Sequence, residues 1–79
     1  MEIKVLGSGC TNCKKLHHMV EVALRDLGIH IKVEYVTDII EIAKTGILRT
    51  PGLMLNGKLL SSGRIPSMVE IQNWFKEAN

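Results

Sequence analysis

The sequence predicts an α/β domain of order βαβαββα, with a four-stranded mixed sheet and helices on both faces. Three observations carry that expectation. A short β-branched run is followed by a long apolar stripe at helical spacing. A second run, alternating apolar and polar, leads into another capped helix. Asn56-Gly57 then divides two apolar runs as a hairpin turn does.

Ile3-Lys4-Val5-Leu6 reads as a central strand, ended by the tight turn Gly7-Ser8-Gly9. Leu16, Val20, Ala23, Leu24 and Leu27 recur at three- and four-residue steps, while Lys14, His18, Glu21 and Arg25 face elsewhere. Gly28 follows the last of the periodic residues, where a left-handed helix cap is expected. Ile31-Lys32-Val33-Glu34-Tyr35 alternates as a strand with one buried face. Asp38 and Glu41 have the spacing of a capping box and open a short helix through Ile39, Ile42 and Ala43, closed by Gly46. Leu53-Met54-Leu55 and Lys58-Leu59-Leu60 flank Asn56-Gly57, where both turn residues need positive φ. Ser67 and Glu70 form a second capping box, and Ile71, Trp74, Phe75 and Ala78 share one face of the closing helix. The first strand–helix–strand unit is expected to be a right-handed crossover between parallel strands. The hairpin adds two antiparallel strands, and helices must cover both faces because the first strand is apolar on both sides.

At 79 residues the chain has room for one domain, residues 1–79, with a thin core. Hydrophobic residues at 46% and charged residues at 23% exclude a disordered tail, a coiled coil and a collagen-like chain. No apolar run approaches the roughly 18 to 20 residues of a membrane span, so no membrane partner is expected. Met1-Glu2-Ile3-Lys4-Val5-Leu6-Gly7 is too short and too charged for a signal peptide, which makes the cytoplasm the expected compartment. Ten basic against eight acidic residues give only +2, and one Trp, one Tyr and one Phe leave little to stack on bases, so no nucleic acid is expected. The chain is expected to be a monomer.

The chemistry lies in Cys10-Thr11-Asn12-Cys13. A close CxxC in a cytosolic chain is more often catalytic or metal-binding than structural. Cys10 falls at the head of the first helix, where unsatisfied backbone N–H groups, those of Asn12 and Cys13 among them, face its sulfur. The positive end of the helix dipole favours a thiolate there. Lys14 and Lys15 add positive charge, and no carboxylate lies between Lys4 and Glu21. A thiol so placed can have its pKa lowered from about 8.5 to about 7 or below. Cys13 sits one turn on, more shielded, which makes Cys10 the nucleophile and Cys13 the resolving thiol. Two other readings stand beside this one. The cysteines can be small hydrophobes, or two soft ligands for Cu(I) or half of a zinc site. His17 could share the face of Cys13, but His18 points about a hundred degrees away, so surface histidine is the plainer reading of that pair and no metal site is assigned. His30 is expected to be exposed.

Val5-Leu6-Gly7-Ser8-Gly9-Cys10-Thr11-Asn12-Cys13, a helix, and then Thr50-Pro51-Gly52 opening a hairpin resemble a small thioredoxin/glutaredoxin-like protein, closest to the short group called redox-active disulfide protein 2. The resemblance covers nearly the whole chain. It implies a minimal thioredoxin-like fold in which Pro51 is a cis-proline beside the redox pair. It implies that the backbone of Thr50 receives an extended substrate segment as an added strand would, and that Gly63 lets the substrate approach closely. The chain departs from its larger relatives in places. Gly9 stands where thioredoxins carry tryptophan, Thr11-Asn12 replaces Gly-Pro, and no acidic residue lies in the first strand. Arg64-Ile65-Pro66 follows Gly63 in place of the acidic pair with which glutaredoxins hold glutathione.

The expected function is therefore thiol–disulfide exchange with protein disulfides, with no bound cofactor and an external reductase to recycle the pair. The rival of another class is a soluble copper or heavy-metal carrier. Such domains usually carry Met two residues before the first cysteine, where this chain has Ser8, and end in a strand, where this chain has a capped helix.

Overall fold

A computed structural model describes residues 1–78. These form β1 (Ile3–Leu6), α1 (Thr11–Asp26), β2 (Val33–Val36), α2 (Ile39–Lys44), β3 (Gly52–Leu55), β4 (Lys58–Ser62) and α3 (Met68–Ala78), the order expected. The sheet runs β2-β1-β3-β4. β1 pairs with β2 in parallel and with β3 antiparallel, and β3 pairs antiparallel with β4. The sheet is therefore mixed, with β1 and β3 inside. β2 begins at Val33, not Ile31, because β1 offers only four residues and its first, Ile3, lies opposite Val33.

The period-two rule sorts β1 between two faces. Ile3 and Val5 join Leu53 and Leu55 in one layer, covered by Leu16, Val20, Ala23 and Leu24 of α1 and by Ile71 and Phe75 of α3. Each such side chain, fully buried, is worth about 1.5–3 kcal/mol of transfer free energy for the larger aliphatic and aromatic types. Leu6 points to the other face and is fully buried, whereas Lys4 is only half-buried and lies 3.7 Å from Glu34 of β2. α2 lies on that side, its Glu41 and Lys44 and the capping Thr45 bordering a cleft floored by Lys4, Leu6, Glu34 and Val36.

α2 covers less than its pattern suggests. At six residues it buries Ile42 alone, leaving Ile39 and Ala43 exposed. Its capping box is half made. Asp38 accepts from the Ile40 N–H at 2.8 Å, while Glu41 turns to Lys44 at 3.3 Å. Ala78 is also exposed, bordering an open surface groove with Trp74, Lys58 and Leu60. The hairpin matches its dipeptide, with φ of 51° at Asn56 and 81° at Gly57. Its tip is tied to the chain start, since the Glu2 N–H donates to Asn56 Oδ1 at 2.8 Å and the Asn56 N–H donates to the Glu2 carbonyl at 2.7 Å.

The box that opens α3 is complete. The Glu70 N–H donates to Ser67 Oγ at 3.2 Å, and the Ser67 N–H donates to Glu70 Oε1 at 3.1 Å. Arg64 adds two bonds to the same carboxylate, at 3.2 and 2.9 Å, in the fork geometry that suits guanidinium. The Arg64 bond first, and the Ser67 N–H after it, lower the Glu70 carboxyl from 4.5 to about 2. A lowered carboxylate stabilises the fold above its unfolded value and loses that contribution as pH falls through the folded one. Thermal midpoints of the parent and Glu70→Gln are therefore expected to differ at neutral pH and to converge between pH 4.5 and about 2. A gap that stays constant down to pH 2 would show that the carboxylate is not the group responsible.

Candidate active site

The site forms where the parallel pair β1 and β2 ends. β1 stops at Leu6, opposite Gly52 of β3. The loop leaving β1 toward the cysteines therefore runs beside Thr50–Pro51, which lead into β3. The Gly7 N–H donates to the Val36 carbonyl at 2.9 Å, extending the β1–β2 ladder one residue beyond Leu6. Gly9, at φ 92°, turns the chain into α1 with open space where a Cβ would stand.

Cys10 is the N-cap of α1, with extended backbone at φ −67° and ψ 164°. Its Sγ accepts the Cys13 N–H at 3.1 Å, filling the place a capping oxygen usually takes. The two cysteines are joined by a disulfide, their Cα atoms 5.0 Å apart. They differ sharply in access: Cys10 is exposed and Cys13 is fully buried. The first turn of α1 has no acidic residue, and Lys14 and Lys15 are exposed beside it. The helix end is thus electropositive on three counts: orphan N–H groups, the helix dipole and two ammonium groups.

The Thr50–Pro51 peptide is cis, with Pro51 buried and Thr50 half-buried. Gly63 joins this loop directly, since its N–H donates to the Pro51 carbonyl at 2.9 Å. The fold thus gathers Cys10, Cys13, Thr50, Pro51 and Gly63 at one end of the sheet. The histidines have other surroundings. His17 stacks on Tyr35 with ring centroids 4.9 Å apart, and its Nδ1 lies 3.4 Å from Glu21. His18 and His30 are exposed. Among the described residues, no three or more His, Cys, Asp or Glu side chains are grouped to hold a metal ion.

Three supporting features escaped the sequence reading. Gly7 is buried against Cys13, and a Cβ there would lie 2.4 Å from the Cys13 Sγ. Gly52, just after Pro51, is filled over in the same way, and its Cβ would lie 2.3 Å from Ile47 Cδ1. Arg49 packs its stem against Gly63, within 3.1 Å of where a Cβ would stand. A glycine that yields space to a distant residue leaves no local signal, because its neighbours in sequence are not the atoms it accommodates.

Two curated relatives and one family model match this sequence. A thioredoxin of Methanothermobacter thermautotrophicus is 35% identical over 72 residues, covering 91% of this chain and 94% of the relative. A thioredoxin of Methanocaldococcus jannaschii is 35% identical over 74 residues, covering 94% of this chain and 85% of the relative. The model of the thioredoxin domain matches residues 1–76, from the start of the sheet to the last turns of α3. With its mixed four-stranded sheet, three helices and helix-capping CxxC, the chain belongs to the thioredoxin-domain family.

Proposed function

We propose that this protein is a thiol–disulfide oxidoreductase that acts on protein disulfides, with Cys10 as nucleophile and Cys13 as resolving thiol. One observation carries the reading: the exposed sulfur caps a helix, and the sulfur bonded to it is buried. In the dithiol form the Cys10 thiolate attacks one sulfur of a partner disulfide and expels the other as a thiolate, which takes up a proton. The Cys13 thiolate then attacks Cys10 Sγ and expels the partner's second sulfur. Two electrons pass to the partner, and the Cys10–Cys13 disulfide remains. In reverse, an incoming thiolate can reach only Cys10, so the same residue receives electrons from an external reductase. No bound cofactor is needed for either direction.

Thr50 and Pro51 bring an extended partner segment alongside the pair, and Gly63 leaves it room to approach. The half-buried Thr50 and the exposed Gly63 border the same loop, which supports that placement. Electron flow toward partners fits a reducing compartment such as the cytoplasm, with the chain acting as a single monomeric domain. No described helix is long and apolar enough to cross a membrane.

The test is purification under reducing conditions, metal analysis, and reduction of insulin disulfides with dithiothreitol as electron source. Insulin reduction well above the dithiothreitol background, without stoichiometric copper or zinc, is expected. Tight metal binding with no reduction would favour the carrier reading. Role assignment has its own measurement. Near pH 7 iodoacetamide should alkylate Cys10 of the reduced protein at least tenfold faster than Cys13, because Cys10 alone is exposed and faces the helix N-terminus. Faster reaction of Cys13 would reverse the roles.

A further inference from the structure

We propose that Gly7 is a positioning residue that sets the redox balance of the CxxC pair, its missing side chain making room for the Cys13 sulfur in the disulfide. The inference rests on the reading that the pair cycles between dithiol and disulfide. Gly7 is buried, and its N–H is fixed to the Val36 carbonyl at 2.9 Å. A Cβ at this position would lie 2.4 Å from Cys13 Sγ and 2.6 Å from Cys13 Cβ. Favourable contacts between carbon atoms lie near 3.5–4.0 Å, so both approaches are far inside repulsion. Backbone conformation gives no other reason for glycine here. Gly7 is not among the positive-φ glycines, whereas Gly9, at φ 92°, has open space around it. One glycine serves the turn and the other serves the sulfur.

The two contacts respond differently to reduction. Cys13 Cβ is fixed by the helix backbone and crowds position 7 in both redox forms. Cys13 Sγ is held against position 7 only while it is bonded to Cys10. In the dithiol that bond is gone, and the sulfur can turn about Cα–Cβ away from the added methyl. A side chain at position 7 therefore penalises the disulfide more than the dithiol. The relevant equilibrium is protein dithiol plus oxidised glutathione giving protein disulfide plus two reduced glutathione, two electrons and two protons leaving the protein. Gly7→Ala should move it toward the dithiol at least tenfold, or about 30 mV for this two-electron couple.

The experiment equilibrates parent and Gly7→Ala in glutathione redox buffers and reads the oxidised fraction by thiol alkylation and mass, with thermal midpoints of both forms measured alongside. The expected result is a tenfold smaller oxidation constant and a midpoint lowered more in the oxidised form than in the reduced form. An unchanged constant, with both midpoints lowered equally, would make Gly7 a structural residue only and overturn the proposal. If Gly7→Ala folds in neither form, both forms of parent and variant are compared by denaturant titration in a stabilising osmolyte. A larger loss in the oxidised form supports the proposal, and an equal loss in both overturns it, because the Cβ contact does not depend on redox state. A parent that equilibrates with glutathione but reduces no protein disulfide would sink only the oxidoreductase reading. An unshifted constant would sink only this one.

Discussion

Cys13→Ser is expected to convert the protein from a catalyst into a trap. Cys10 remains exposed at the head of α1, so its thiolate still attacks a partner disulfide. Under the proposed mechanism, what disappears is the thiolate that resolves the mixed disulfide. The disulfide between the two cysteines shows that their sulfurs meet in this fold. Groups so oriented reach effective concentrations of about 10⁵–10⁸ M in well-arranged intramolecular reactions. Free thiols at millimolar concentration replace that only poorly, so turnover should fall by at least about a thousandfold. Covalent complexes should accumulate instead. Cys10→Ser should lose turnover as completely but trap few partners, since the remaining Cys13 is fully buried. Distorting the Thr50–Pro51 loop should lower trapping while leaving the alkylation rate of Cys10 unchanged. Non-reducing pull-downs from source cells, with each variant as bait, read the trapping, while insulin reduction and timed alkylation read turnover and Cys10 reactivity. Thiol-reversible partners on Cys13→Ser alone would also identify the substrates. An empty Cys13→Ser lane, from cells whose disulfide proteins are demonstrably oxidised, would overturn the two-cysteine mechanism.

The parts of this site that were legible in the sequence are those whose signal is local. Cys10 follows a turn and precedes a helical stripe, and it became the N-cap. Asn56-Gly57 needs left-handed backbone whatever surrounds it, and Ser67 and Glu70 close their box within four residues. Where burial depends on how far an element reaches over the sheet, pattern alone overstated it. Ile39, Ala43 and Ala78 keep the right spacing yet stay exposed, because α2 is short and α3 runs out beside an open groove. Contacts between residues distant along the chain were the least legible. Arg64 read as a missing acidic pair, but its partner is Glu70, six residues on, and together they pin the segment after Gly63 to the start of α3. Gly52 reads only as part of a hairpin opening, although Ile47 and Leu6 fill the space beside it.

Phe75→Ala is expected to have the largest effect on stability, and through it on the site. Phe75 is the largest fully buried side chain, and it sits on α3 within the cluster that joins α1 to β1 and β3. Truncating a buried phenylalanine costs about 3–5 kcal/mol, combining lost transfer energy with the cavity left behind. A chain of 79 residues has a net stability of only about 3–5 kcal/mol from a single core. The substitution should therefore lower the thermal midpoint by roughly 12–40 °C or abolish the cooperative transition, since each kcal/mol shifts a domain of this size by about 4–8 °C. Leu48→Ala is the matched control. Leu48 is 96% exposed on the loop before Thr50, so its removal should stay within about 0.5 kcal/mol of the parent. The two variants also separate fold from chemistry. Cys10 owes its hydrogen bond to the Cys13 N–H one turn along the same helix, not to α3. At a temperature where Phe75→Ala is still mostly folded, its Cys10 alkylation rate near pH 7 should match the parent within about twofold, an extension of the additivity expected for distant sites. Denaturant titration with far-UV circular dichroism measures the first effect and timed alkylation the second. A Phe75→Ala cost below about 1.5 kcal/mol would mean that α3 does not hold α1 to the sheet through this ring.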